Sequence, residues 1–174
     1  MAGSIKNFKS SFKTDLSRPS RFDVQIYTQF LGDTSVLNYR CEAAQLPGRT
    51  FATMEQRTYG PIEKFPYLNT YNDLELTFMV TDDMSQKTFF DKWMEIINPT
   101  TTNDFTYKAD YCADLIVTQY DVRNRPTYSV NILEAYPISV NQLDLDWSST
   151  DTYHKLIVTF AYTRWKINNS FPVF

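Results

Sequence analysis

The chain has a single histidine, His154, so any triad, dyad or two-histidine metal site would have to be built around that side chain alone. It follows Tyr153 at the mouth of a predicted strand, the place of an exposed or capping imidazole rather than a general base. The other groups with catalytic potential are carboxylates. Asp144 and Asp146 stand two apart and, on a strand, would project from one face about 7 Å apart, a separation compatible with glycoside chemistry. Their alternation with Leu143, Leu145 and Trp147 accounts for them fully as the wet face of an amphipathic strand. Asp82 and Asp83 precede a predicted helix, where carboxylates complement the helix dipole. Cys41 and Cys112 match no zinc spacing and read as buried free thiols of a reducing compartment, with one disulfide as the alternative. With no phosphate loop and no nucleophile elbow, the chain is expected to be no enzyme and to hold no cofactor or metal.

The elements that position these residues follow from composition and period. The 174 residues suit one domain spanning 1–174. Aromatics make up 16% and glycine numbers only 4, a balance that favours strands and packed interfaces. The net charge of −3 gives no basic field for nucleic acid or an acidic membrane surface. No apolar run approaches the roughly 20 residues needed to span a bilayer, so no stable membrane association is expected.

Residues 1–17 place Ile5, Phe8, Phe12 and Leu16 at helical spacing among Lys6, Lys9 and Lys13, an arm or short helix that is expected either to dock on a neighbouring subunit or to be a frayed terminus. From Phe22 the period becomes two, giving a strand, and residues 36–44 read as its antiparallel partner beyond a turn at Gly32-Asp33. Leu74, Leu76, Phe78 and Val80 mark another strand. Asp83 and Gln86 have capping-box spacing before a helix that runs through Ile97 with Phe89, Phe90, Trp93 and Met94 on its apolar stripe. A hairpin follows, from Ala113 out and back to Tyr136, where Pro137 is expected to break it. Leu143, Leu145 and Trp147 form a further predicted strand, and residues 153–165 the last, apolar on nearly every residue and so requiring cover on both faces.

Residues 46–72 lack a sustained period and carry five aromatics among Pro47, Gly48, Gly60, Pro61 and Pro66. Long connections in compact domains serve a purpose or contain short strands, and aromatic content argues against disorder. This stretch is the expected extended loop or hairpin for contact between subunits, with Arg49, Phe51, Tyr59, Phe65, Tyr67 and Tyr71 as its candidate contact residues. The fold class expected overall is mainly β: an antiparallel sandwich or small barrel with one flanking helix.

Four blocks resemble the tail tube proteins of contractile-tailed bacteriophages, a family related to the tube protein of type VI secretion. LSRPSRFDVQI is similar to the family's Arg-Pro approach to its first strand, and YRCEAAQLPGR to its Cys-x-Ala-x-x-Leu-Pro segment. LELTFMVTDDMSQKTFFDKWMEII resembles its strand and helix with Phe-x-x-Trp, here Phe90 and Trp93. YPISVNQLDLDWSSTD, with Pro137, Leu145 and Trp147, resembles its Pro-to-Trp block, and the C-terminal block ends at Trp165. These six residues are the expected fold-defining set.

The resemblance implies a structural virion protein, located in the tail and assembled in the host cytoplasm, whose hexameric rings stack into a tube that conducts DNA. Its implied partners are a sheath protein, a baseplate tube-initiator and a tape-measure protein in the lumen, with DNA passing unbound. A tube-initiator or tube-end cap of the same fold, a secretion-system tube and a glycan-binding β-sandwich are the alternatives. An acidic chain favours a net negative lumen, since basic walls would hold phosphates.

Overall fold

The computed structural model describes residues 16–32, 34–57, 59–148 and 150–168, together with Ile5, Asn7 and Phe8. Most of the expected arm over residues 1–17 lies outside the described residues. The fold is mainly β, as expected: among the described residues there is a seven-stranded antiparallel sheet, a separate two-stranded hairpin and one helix of substantial length.

The sheet runs in the order β1 (Phe22–Tyr27), β6 (Ala113–Tyr120), β7 (Pro126–Val140), β8 (Lys155–Ala161), β5 (Leu74–Met79) and β2 (Cys41–Ala44), with β9 (Arg164–Ile167) also on β7. Alternation writes the core directly. Val24 and Ile26, Leu115 and Val117, Val130 and Ile132, Leu74, Leu76 and Phe78, and Leu156, Val158 and Phe160 all face inward into one apolar cluster. The first and last strands, β1 and β2, approach each other, so the sheet wraps around that cluster.

The wrap requires a corner, and Glu134 makes it. Between Ala113↔Ala135 and Leu115↔Ile132 one extra residue enters β7, and Glu134 takes a left-handed backbone with φ 56°. Its N–H donates to Asp114 Oδ1 at 3.1 Å, and its carboxylate accepts from Lys108 Nζ at 2.9 Å and Thr163 Oγ1 at 2.7 Å. Those bonds tie β6, β7, the short helix α3 (Lys108–Tyr111) and the β8–β9 junction at the bend.

Helix α2 (Ser85–Ile97) packs its predicted stripe on this core, with Phe90, Trp93 and Ile97 buried. Its start differs from a capping box. Gln86 Oε1 accepts from both the backbone N–H and the hydroxyl of Thr81 at 3.1 Å, while Asp83 accepts from Ser85 N–H at 3.4 Å and from the Thr81 hydroxyl. The amide thus secures the end of β5 rather than the helix's own first turn. Asn98-Pro99 ends the helix as expected.

Four strand expectations are corrected. Residues 36–44 do not pair with β1: Ser35–Asn38 forms a helical turn, α1, and β2 pairs with β5. The reason is that Asn38 Oδ1 accepts from Ile26 N–H at 3.0 Å and Thr34 Oγ1 donates to Ile26 O at 2.6 Å, occupying the β1 edge with side chains. Pro137 does not break β7. Pairing with β6 has ended at Ala135, and the β7–β8 register shifts between Pro137 and Ser139, both places where a missing N–H is tolerated.

Leu143, Leu145 and Trp147 form no strand. Asn141 closes the ladder by accepting from Ile157 N–H at 2.7 Å and donating from its own N–H to Ile157 O at 3.0 Å, which leaves the following residues no partner edge. Residues 153–165 do not form one strand either, since β8 and β9 are separated at Tyr162-Thr163. Within β8 only Leu156, Val158 and Phe160 are buried; Ile157 on the opposite face remains open. Both cysteines are free thiols, and burial pushes Cys41 up to about 12.

A pH dependence follows from the surface carboxylates. Asp121 is held below the usual carboxyl range chiefly by the Arg125 backbone N–H, Glu134 by Lys108 and Glu42 by Lys155. A depressed carboxyl contributes stability above its unfolded value and loses it as pH falls through the folded one. The thermal midpoint of the unassembled chain should therefore fall as pH drops below about 4, and Asp121→Asn should flatten that fall. Thermal scans across pH 2–6, an interval bracketing about 4, measure both slopes.

Candidate assembly surface

Residues 46–72 form a hairpin that leaves the body of the molecule: β3 (Thr50–Gln56) pairs with β4 (Glu63–Thr70). Every residue of β4 is exposed, and of β3 only Ala52 is partly covered. The register decides what each face carries, because residues directly opposite share a face. Ala52↔Leu68 and Met54↔Phe65 fall together on one face, an apolar stripe between Thr50↔Thr70 and Gln56↔Glu63 that is exposed except at Ala52. Phe51↔Asn69, Thr53↔Pro66 and Glu55↔Lys64 occupy the other, where Lys64 and Glu55 form an ion pair at 3.4 Å. The register shift between Ala52 and Thr53 leaves Tyr67 as the extra residue.

The expected contact residues therefore fall in five different places. Phe65 sits on the apolar face, Phe51 on the other face, Tyr67 at the bulge, and Tyr59, fully exposed, in the connection beyond the strands. Arg49 and Tyr71 act at the base. The Arg49 guanidinium lies 5.1 Å from the Trp165 ring and 5.8 Å from the Tyr71 ring, Trp165 Nε1 donates to Gly48 O at 3.2 Å, and Tyr71 tilts against Tyr162 at 5.8 Å. Together these fasten both legs of the hairpin to β9 and the end of β8. Met54 and Leu68 escape a reading of aromatics alone; their signal appears only once the strand register is known.

This clamp predicts a local effect. Each cation–π contact at an exposed site contributes about 0.5–1 kcal/mol, so Arg49→Ala should speed amide exchange in β3 and β4 by about tenfold. Exchange in β5 and β8 should stay unchanged in the same hydrogen-exchange measurement.

Of the fold-defining set, Phe90 and Trp93 are fully buried, Pro137 is buried, and Trp165 packs half-buried against the core. Leu145 and Trp147 are not core residues: they are 85% and 103% exposed, in the connection between β7 and β8. Asp144 and Asp146 lie in the same irregular stretch, so no strand holds them as a pair; Asp146 instead accepts from Ser148 N–H at 3.0 Å and from its hydroxyl at 2.6 Å. His154 contributes its backbone carbonyl to Val80 N–H at 3.0 Å. Among the described residues no group of three His, Cys, Asp or Glu side chains could hold a metal ion.

What the arrangement offers is surface for association. A hairpin with one apolar face, projecting from a closed core, is marginal alone in water and gains stability when something covers it.

A family model described as phage tail tube protein matches residues 7–168. The tail tube protein gp19 of Enterobacteria phage T4 is 28% identical over 167 residues, covering 87% of this chain and 92% of that one. Among solved structures, a chain of the sheath–tube complex of the extracellular contractile injection system PVC, in the extended state, superposes with TM-score 0.66. It is 15% identical and covers 96% of this chain and 99% of that one. A chain of the same system's sheath/tube terminator superposes with TM-score 0.68 at 14% identity, covering 90% and 99%.

Proposed function

This chain belongs to the phage tail tube protein family, structural components of the virion tail, and from that premise we propose that six copies close into a ring and that rings stack head to tail into a DNA-conducting tube. The observation that carries the reading is the hairpin of β3 and β4, whose apolar face its own chain leaves open. A head-to-tail contact is heterologous: each copy presents the hairpin and receives its neighbour's on a different surface, so the contact propagates instead of closing on a pair. Joining sheet edges around the ring removes the unpaired backbone groups that an open edge leaves.

The proposed surroundings are a sheath outside, a baseplate initiator at one end and a tape-measure protein in the lumen. An acidic chain suits a bore along which DNA slides, because a wall of Lys and Arg would exchange counterions with phosphates at every ring and retain it. A net negative lumen is the expected result of solving the assembled tube, and a predominantly basic bore would count against it.

Negative-stain microscopy of the purified protein tests the main reading. Stacked rings of unlimited length are expected. Single rings that never extend would identify an initiator or an end cap, and monomers that bind sugar would favour the glycan-binding alternative.

A further inference from the structure

We propose that the β6–β7 turn of one copy, with Val122 and Arg123 at its tip, seats in the acidic groove beside Trp147 of a second copy. The inference rests on the self-assembling subunit proposed above and pairs two surfaces that the β3–β4 hairpin does not use.

The two ends of β7 carry opposite charge. At its start, residues 121–125 form a turn held in one shape by its own side chains. Asp121 Oδ1 accepts from the Arg123 N–H at 2.7 Å and the Arg125 N–H at 2.8 Å, and Oδ2 accepts from Arg125 Nε at 2.9 Å. Asn124, left-handed with φ 59°, accepts through Oδ1 from Arg21 Nη1 at 2.7 Å. This network neutralises Asp121 and holds Arg21 and Arg125, while Val122 and Arg123 stand exposed. A turn already fixed loses little conformational freedom on docking.

Beyond the other end of β7, the connection to β8 forms a groove of about 950 Å³ with exposed Leu145 and Trp147 along it. Asp144, Asp146 and Asp151 line it, and the lysine beside them, Lys155, is paired with Glu42 at 2.6 Å. Charge and shape select the occupant. An indole flanked by carboxylates suits a guanidinium, which stacks on the ring and pairs with an acid at once. Arg49 is engaged with Trp165 and Tyr71, and Arg57 sits between Glu55 and Glu63 on the hairpin, carboxylates that an acidic groove repels. The turn supplies Arg123 for Trp147 and the acids, and Val122 for Leu145. A 15-residue strand bent at Glu134 separates turn from groove, and both stay exposed within the chain, so the contact runs head to tail between copies.

Charge reversal in the full-length protein tests the pairing. R123E should leave the thermal midpoint of the free chain unchanged, because Asp121 bonds the backbone of residue 123 and not its side chain. The concentration needed for assembly should rise about tenfold with R123E and with D144K/D151K, and should return toward the wild-type value in R123E/D144K/D151K. Unchanged assembly by R123E, or a triple variant no better than the two parents, overturns the proposal. A photo-crosslinker, Val122→p-benzoylphenylalanine, mixed with isotope-labelled wild-type copies, should form its adduct with residues 143–153 of the other copy. An adduct on the hairpin, one confined to a single chain, or none between chains overturns it as well. Microscopy of the wild-type protein is scored separately: absent stacks count against the tube, and a missing or misplaced adduct counts against this contact.

Discussion

Trp93→Ala is expected to destabilise the unassembled chain by about 3–5 kcal/mol, which removes a large share of the roughly 5–15 kcal/mol that holds a domain folded. The indole is fully buried and contacts four rings: Phe30 at 5.7 Å, Phe89 at 6.0 Å, Phe90 stacked at 6.3 Å and Phe160 at 5.9 Å. It is therefore the joint between α2 and β8, and alanine would leave a cavity that rigid rings on several sides cannot collapse to fill. Its Nε1–H also donates to Tyr111 O at 2.8 Å, and losing the donor orphans that carbonyl. Trp93→Phe separates the two contributions by keeping an aromatic ring without the donor; it should cost about 1–3 kcal/mol. Guanidinium unfolding measures both as shifts in midpoint at unchanged slope. An alanine variant within about 1 kcal/mol of the wild type would mean that the aromatic joint does not secure the helix.

Trp93 and Trp147 show what the sequence makes legible. Trp93 is readable because Phe90, Trp93 and Ile97 repeat at helical spacing, and a stripe of that width has to meet a core. β1 and β5 are readable for the equivalent reason at period two. Trp147 follows the same alternation as a core strand residue, yet it ends in solvent, because alternation describes one strand's faces and says nothing about whether a partner edge is free. Here Asn141 has already closed the edge of β8 with its side chain. Residues 36–44 fail as the partner of β1 for a related cause: Thr34 and Asn38 satisfy Ile26 before a second strand can. Side-chain bonds to backbone leave no periodic trace. The corner at Glu134 is equally silent, since nothing local marks an acidic residue for a left-handed conformation held by Lys108 and Thr163.

The hairpin is legible in outline and not in detail. Aromatic content and missing period mark residues 46–72 as outward-facing, which the exposed hairpin matches. Which side chains share a face depends on the bulge at Tyr67, and that one extra residue brings Phe65 onto the face of Met54. Arg49 and Tyr71, expected as contact residues, make contacts within the chain that hold the hairpin's base against Trp165.

The double substitution M54D/F65D is expected to abolish stacked rings while leaving the subunit folded. Both side chains lie on the exposed face of the hairpin and neither joins the core cluster; as direct cross-strand partners the two carboxylates repel and weaken the hairpin locally by about 0.2–1 kcal/mol, while the core of the free chain should stay folded. In the proposed tube the same two positions are covered by the next ring. Two carboxylates there would be desolvated without partners, at several kcal/mol per contact. Every ring repeats that cost six times in the proposed hexamer, and because each copy both presents and receives a hairpin, no junction in a uniform mutant tube escapes it. The control is the other face: E55S/K64S removes an exposed ion pair worth about 0–1 kcal/mol and should leave tube length nearly unchanged. Sedimentation and negative-stain microscopy read the assembly, and thermal unfolding reads the subunit. Normal tubes from M54D/F65D would place the ring-to-ring contact elsewhere, and equal loss from both variants would mean that the hairpin acts as a whole rather than through its apolar face.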